Sequence, residues 1–136
     1  MARSTQTRHY RPSIEKQIGF SQAVISGDLL MLSGLISMGP DGQCVGRGDM
    51  SAQVEAIYSE IGRILYDYGL TYEHVVRETI YTTDLRALIA AAPVRLKFFE
   101  RVGLPAATWV RVAGLFSEEY LLEVEITAEI SRPEAG

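Results

Sequence analysis

Acidic residues alternate with apolar residues near the end of the chain, in the segment LLEVEITAE. Because side chains alternate across a strand, Glu123, Glu125 and Glu129 share one side of it. A solvated face is the ordinary explanation, and we keep it for Glu129. For Glu123 and Glu125 a second explanation stays open. A carboxylate that is partly desolvated against another surface has a raised pKa and can act as a general base or position a water molecule.

A second segment with chemical potential is LPAATWVRVAGL, residues 104–115. Strand alternation places Thr108, Val110 and Val112 on one side and Trp109 and Arg111 on the other. We expect the two valines to face the helices, so Trp109 and Arg111 face away from the core. Tryptophan and arginine are common in interfaces. This side of the strand is therefore either a subunit contact or the wall of a cleft between subunits.

Histidine and cysteine, which carry much metal and nucleophile chemistry, are scarce in this chain, with two histidines and one cysteine. His9 and His74 are far apart and lie outside any cluster of Cys, Asp or Glu, so we expect both on the solvated surface. Cys44, in or near a turn, is expected to be a small buried residue rather than a nucleophile. No phosphate loop or dinucleotide fingerprint occurs. We expect no metal and no cofactor.

Composition indicates one globular domain over residues 1–136, with residues 1–9 and 131–136 as loose ends. The chain is 47% hydrophobic and 22% charged, with a net charge of −4 and no basic run, which argues against a nucleic-acid partner. No apolar run is long enough for a membrane helix, and the first residues lack the apolar segment of a signal peptide. With a single cysteine, these features predict a cytoplasmic protein.

The elements that must position these residues follow from periodicity and turn chemistry. We predict two strands around a turn at 26–28, a turn at 39–45, a helix over 54–68, a strand over 75–83, a turn at 85–91, a helix from 93 to about 101, and strands over 106–113 and 120–130. Asp49 or Ser51 can cap the first helix, and Pro93 suits the first position of the second.

This order, β-β-(β)-α-β-α-β-β, predicts an α+β domain of two layers, a mixed sheet with two helices on one face. The other face of the sheet is then uncovered. An apolar uncovered face would favour self-association, because large exposed apolar patches mark interaction surfaces.

Four segments, FSQAV…LLMLSGLI, DMSAQVEAI, HVVRETIYTTDL and LPAATWV…LLEVEITAEI, resemble in order and spacing the Rid (reactive intermediate deaminase) or YjgF-like family. The resemblance covers about residues 18 to 130. It implies a chorismate-mutase-like subunit in a homotrimer, with the sheets forming a central barrel and a small-molecule cleft between adjacent subunits. Deaminating members of the family convert 2-imino or enamine acids to 2-oxo acids and ammonia.

Several site positions follow from the resemblance. The glutamate that holds the hydrolytic water corresponds to Glu123, and Ser33 and Gly34 match the Ser-Gly of the cleft floor. The arginine that binds the substrate carboxylate falls at Ala107, and the tyrosine before Ser-Gln-Ala falls at Phe20, so the positive charge and the hydroxyl are both lost.

Other positions also depart from the family pattern. Glu60 and Ala92 stand where the family usually has asparagine, and Trp109 replaces a small residue. Arg111 lies on the same predicted face as Ala107 and is the candidate replacement for the missing cation.

Two functions remain open. One is hydrolytic, deaminase-type action on a small imine, enamine or related metabolite, with Glu123 holding water, the backbone at Thr108 and Gly34 binding an oxygen, and Trp109 stacking on a planar substrate. An uncharged or aromatic substrate suits such a site better than a 2-imino carboxylate. The alternative is a non-catalytic trimer that binds a ligand or regulatory molecule in the same clefts.

Overall fold

The computed structural model describes residues 5–130, and six strands of this part form one mixed sheet. The strands are β1 (Thr5–Arg8), β2 (Ala23–Ser26), β3 (Leu29–Leu35), β4 (Val75–Thr82), β5 (Ala106–Arg111) and β6 (Leu122–Glu129), in the spatial order β1-β2-β3-β6-β4-β5. Only β4 and β5 pair in parallel. Since parallel neighbours need a crossover, the helical segment between them returns the chain to the same end of the sheet.

The helices of the described residues are α1 (Pro12–Ile18), α2 (Met50–Asp67), α3 (Leu85–Ala90) and α4 (Ala92–Leu96), with short 3₁₀ turns at Tyr72–His74 and Lys97–Phe99. Of the two predicted caps for α2, Asp49 is the one used, because its side chain accepts a hydrogen bond from Ala52 N–H. Pro93 lies in the first turn of α4, as predicted. No helix within residues 5–130 is long and apolar enough to cross a membrane.

The core lies between one sheet face and the helices. The α2 stripe of Val54, Ile57, Ile61, Ile64 and Leu65 joins the alternate β6 residues Leu122, Val124, Ile126 and Ala128 in one buried cluster. The intervening β6 residues, Glu123 among them, lie on the opposite sheet face and are half-buried. The predicted two-layer α+β fold is therefore confirmed.

The N-terminal segment differs from the prediction. The prediction of a loose arm is wrong for Thr5–Arg8, because these residues form β1 and pair with β2. The helix α1 was not predicted. The physical cause is Glu15, which is 1% exposed. Its carboxylate accepts hydrogen bonds from the backbone N–H groups of Tyr10, Arg11 and Gln22 and lies 2.9 Å from Nδ1 of His9. His9, expected in solvent, is thus drawn into this cluster.

One further segment was predicted incorrectly, and two predicted loose segments fall partly or wholly outside the described residues. The segment 85–91, expected to be a turn, contains α3, because the Asp84 side chain caps it by accepting from Ala87 N–H. The tail at 131–136 and residues 1–4 of the predicted arm lie outside the described residues.

Candidate functional site

The Glu123 side chain lies directly above Gly34. The register of β3 and β6 shifts between Leu32 and Leu35, so Ser33 and Gly34 form an irregular step in the ladder. A Cβ atom placed on Gly34 would be 2.6 Å from Cδ and 2.7 Å from Cγ of Glu123. Carbon atoms pack at about 3.5–4.0 Å. Glycine is therefore required at this position to accommodate the glutamate.

A pocket of about 290 Å³ lies beside these residues, between the N-terminal segment and the sheet. Its apolar walls are formed by six side chains: Ile14 and Ile18 of α1, Phe20, Leu35, Ile36 and Phe116. Glu123 contributes the acid, and Ser33 and Gly34 also line the pocket. The structure thus brings together four of the residues proposed from the sequence, Phe20, Ser33, Gly34 and Glu123.

Burial raises the pKa of Glu123 above its usual value, and the negative charge of Glu125 raises it further. Glu125 itself accepts a hydrogen bond from the hydroxyl of Tyr81, its neighbour on the same sheet face. No hydrogen bond or ion pair from residues 5–130 engages the Glu123 carboxylate. It is therefore an unpaired acid in a largely apolar pocket and is available to a ligand or a water molecule.

The remaining polar groups of the pocket are bound within the protein. Gln22 donates from Nε2 to the Ser33 carbonyl at 2.8 Å, and Ser33 donates from Oγ to the Ser21 carbonyl at 2.7 Å. The Glu15 carboxylate is occupied by the cluster of N–H donors described above. These contacts hold the polypeptide around the pocket in place and leave Glu123 as its unpaired carboxylate.

Arg11 also lines the pocket, although no pattern in the sequence indicates it as a site residue. Its Nη1 donates to Oε1 of Glu60 at 2.9 Å, and its Nη2 donates to the Met38 carbonyl. The contact is long-range, since Glu60 lies in α2, 49 positions along the chain from Arg11. Glu60 departs from the asparagine that is usual in the family, but no local pattern indicates that it pairs with Arg11.

The predicted orientation of β5 is wrong. Trp109 pairs with Ile80, packs against the hydrophobic core, and has the Arg95 guanidinium 5.8 Å from its ring centroid. Trp109 therefore lies on the helix side, whereas Val110 is 37% exposed on the other. The Arg95 guanidinium, which forms an ion pair with the buried Glu78, lies on this side of the sheet with the indole ring.

The other proposed β5 residues do not reach the pocket within one chain. Ala107 is exposed beside Glu78 at the edge of the sheet, on the same side as Trp109. Arg111 lines a separate hollow with Thr83 and Ala113. Thr108 is on the opposite face, where its hydroxyl accepts from Arg77 at 2.6 Å. The structure therefore does not bring Arg111 to Glu123.

No group of three or more His, Cys, Asp and Glu side chains within residues 5–130 is arranged to hold a metal ion.

The sheet order and the single helical layer define an α+β fold of the chorismate-mutase-like class. The family model described as endoribonuclease L-PSP matches residues 11–130, and the chain belongs to this family, which is also known as the YjgF or Rid family. The resemblance identified from the four sequence segments is thereby confirmed at the level of the family.

Solved structures and curated relatives agree with this assignment. Rv2704 of Mycobacterium tuberculosis, a member of the YjgF/YER057c/UK114 family, is 27% identical with a TM-score of 0.79, covering 93% of this chain and 100% of that one. TdcF of E. coli, solved with bound serine, is 26% identical with a TM-score of 0.75, covering 82% of this chain and 88% of that one.

Among curated proteins, Protein DfrA of Myxococcus xanthus is 36% identical over 103 residues, which are 74% of this chain and 78% of that protein. Reactive Intermediate Deaminase A, chloroplastic, of Arabidopsis thaliana is 29% identical over 96 residues, which are 71% of this chain and 51% of that protein.

Proposed function

We propose that this protein is a hydrolytic deaminase that converts a small imine or enamine to a carbonyl compound and ammonia. The observation that carries the proposal is the unpaired, half-buried Glu123 carboxylate in a pocket of about 290 Å³. The relationship to a reactive intermediate deaminase supports the same reaction class. E. coli TdcF, solved with serine, supports a small molecule as the ligand of this fold.

Glu123 acts first as a base and then as an acid. Its carboxylate accepts a proton from a water molecule while the water oxygen attacks the carbon of the protonated imine, whose C=N electron pair moves to nitrogen, and a neutral carbinolamine results. The protonated Glu123 then passes that proton to the nitrogen. As the C–N bond breaks and ammonia leaves, the hydroxyl group of the carbinolamine gives its proton to the Glu123 carboxylate and becomes the carbonyl group, and Glu123 returns this proton to solvent. An enamine enters the same sequence after protonation at carbon. A pKa raised by burial suits a group that must both accept and return a proton near neutral pH.

The pocket is completed, in this proposal, by a neighbouring subunit of a homotrimer. Ile18 and Phe116, two apolar side chains that line the pocket, are each 58% exposed in the single chain, which favours a partner surface over them. Glu125 and Tyr81 continue the same sheet face beyond the pocket. Thr108 of β5, which lies on the same sheet face as Glu123, would then contact the Glu123 pocket of another copy rather than its own.

The reaction can be tested with imines that an amino-acid or amine oxidase generates in the assay and that semicarbazide traps when they persist. The protein should lower the amount of trapped imine. Glu123→Gln should reduce this effect by about 10²–10⁴-fold, since positioned acid–base groups contribute that much.

Glu129→Gln is the matched control, because Glu129 lies on the same strand and face at its far end, and it should leave the rate unchanged. Full activity of Glu123→Gln would remove this residue from the mechanism. Ligand binding without acceleration of any imine would support the alternative, a non-catalytic binding protein.

A further inference from the structure

We infer that the outward side of α3 and α4 is a docking surface for an acidic protein segment with apolar anchor residues. This surface, the α3–α4 face, consists of five exposed side chains: Arg86, Ile89, Pro93, Leu96 and Lys97. It belongs to the helix layer, on the opposite side of the sheet from Glu123. The inference therefore does not depend on the proposed reaction.

The segment from α3 to the end of the following 3₁₀ turn has one buried side and one exposed side. Its buried positions recur every three or four residues: Leu88, Ala91, Arg95 and Phe99. The outward positions include two large aliphatic side chains, Ile89 and Leu96, which are 58% and 49% exposed. Exposed apolar side chains rimmed by polar residues mark interaction surfaces.

The same part of the chain is basic in an acidic protein. The whole chain has 13 lysine and arginine residues against 17 aspartate and glutamate residues, whereas residues 85–111 have five basic residues against one acidic residue. Arg95 is buried in an ion pair. Arg86, Lys97 and Arg101 are exposed, and none of them forms an ion pair or a side-chain hydrogen bond within residues 5–130. Unpaired cations beside apolar anchors favour an acidic partner.

Arg101, four positions after Lys97, is the basic residue with an unusual backbone. Its φ is 68°, the one positive φ of a residue other than glycine within residues 5–130. Glycine adopts this conformation readily, whereas a side chain is disfavoured in it. Unfavourable backbone conformations cluster at functional sites. The backbone alone favours glycine here, so we assign the Arg101 guanidinium to the rim of the α3–α4 face.

The proposed homotrimer leaves this face accessible. Its subunits meet through the sheet face that carries Glu123, so the helix layers point outward. The three copies of the α3–α4 face then point in different directions around the threefold axis, and a flat membrane could not contact all of them at once. The remainder of the chain is net negative and repels a polyanion such as RNA. A short acidic segment with apolar residues complements the face without either conflict.

Selection from a phage-displayed library of short random peptides tests the inference, with the intact protein as bait. The Arg86→Glu/Lys97→Glu variant is the reference, because it reverses both charges of the face. We expect the peptides enriched on the wild-type protein, relative to this variant, to combine net negative charge with large apolar residues. No such enrichment, or enrichment of neutral or basic peptides, would overturn the inference.

Calorimetry with a synthetic copy of an enriched peptide gives the affinity and the stoichiometry. We expect one peptide per subunit, and an affinity lowered about tenfold or more by Arg86→Glu/Lys97→Glu and by Leu96→Ser. Arg63→Glu is the matched control, because Arg63 is an exposed arginine of α2 outside the face, and it should leave the affinity unchanged. Equal weakening by Arg63→Glu would show only a general charge effect and would overturn the docking surface.

The Arg101→Gly variant separates binding from folding. It removes the charge and introduces the residue that suits a positive φ, so peptide affinity should fall while the midpoint of thermal unfolding stays the same or rises. A lower midpoint would show that Arg101 has a structural role instead.

Single-stranded RNA and vesicles that contain phosphatidylserine are the competing ligands. Both are polyanionic, and we expect neither to bind in a way that depends on Arg86 and Lys97. Binding of RNA or vesicles that is tighter than peptide binding, and that Arg86→Glu/Lys97→Glu abolishes, would overturn the inference and assign the face to that ligand.

Discussion

Replacing Gly34 by alanine tests whether the position of the Glu123 carboxylate matters. The added Cβ would lie 2.6 Å from Glu123 Cδ, whereas unstrained carbon contacts begin at about 3.5 Å, so the carboxyl group must move by about 1 Å. Because a misplacement of about 1 Å can cost about 10²-fold, we expect kcat/KM for imine hydrolysis to fall by roughly two orders of magnitude.

The stability of this variant should change little in comparison. Gly34 does not have a positive φ, so alanine fits its backbone, and the atoms that must yield belong to one side chain. A rotamer change in Glu123 costs about 1 kcal/mol.

Gly103→Ala is the matched control, since a Cβ there meets nothing within 4 Å and the backbone φ is not positive. Its rate should stay at the wild-type level. Thermal unfolding and the imine-trapping assay give both quantities on the same samples. A Gly34→Ala protein with wild-type kcat/KM would refute the reasoning, because it would mean that the reaction does not depend on where the Glu123 carboxylate lies.

Three further predictions follow from the charged groups. Glu125→Gln removes the negative charge that helps to raise the pKa of Glu123, so the acid limb of the kcat/KM profile should move to lower pH; an unmoved limb would contradict this. Glu15→Ala leaves buried N–H groups unpaired and should lower the free energy of unfolding by about 3 kcal/mol in urea titrations near pH 7. The pKa of Glu15 is lowered in the folded state, so its contribution to stability is present above the unfolded pKa of about 4.3 and is lost as the pH falls through the folded pKa. The difference in unfolding free energy between wild type and Glu15→Ala should therefore shrink in acid. Arg95→Met leaves the fully buried Glu78 without its ion pair and should cost about 3–5 kcal/mol, and Glu78→Gln in the same chain should recover part of it, whereas a neutral outcome for the single variant would show that the pair is not needed for stability.

The sequence predicted β6 and its acidic face correctly because the information is local. Leu122, Val124 and Ile126 alternate strictly with polar residues, and only one register buries all of them. Ser33 and Gly34 were predicted as site residues from the family resemblance and not from alternation. The fold class followed because strand and helix periodicities alternate clearly along most of the chain.

The orientation of β5 was not predictable in the same way. Val110 and Trp109 are both apolar, so alternation alone does not say which faces the core. On the helix side the indole ring lies near Arg95, a charged residue in α4 that the sequence gives no reason to bury. Burial of the Arg95–Glu78 pair depends on the packing of α4 against β4, which leaves no periodic pattern in the sequence.

The structure of the N-terminal segment was not predicted for a related reason. Residues 5–18 contain few apolar residues, and their order depends on Glu15 and on the pairing of Arg11 with Glu60, which lies 49 positions along the chain. Neither contact leaves a periodic signal.

Attachment of α1 through two charged side chains, Glu15 and Arg11, has a consequence for how this architecture diversifies. Ile14 and Ile18 form one wall of the cavity, yet the sheet and α2 supply most of the buried apolar cluster. Exchange of the segment around Glu15 can therefore reshape the cavity while Glu123 and Gly34 stay where they are. If Glu123 carries the proposed reaction, the residues that shape the ligand and the residue that performs the chemical step lie in separate stretches of the polypeptide, so one can change in evolution without disabling the other.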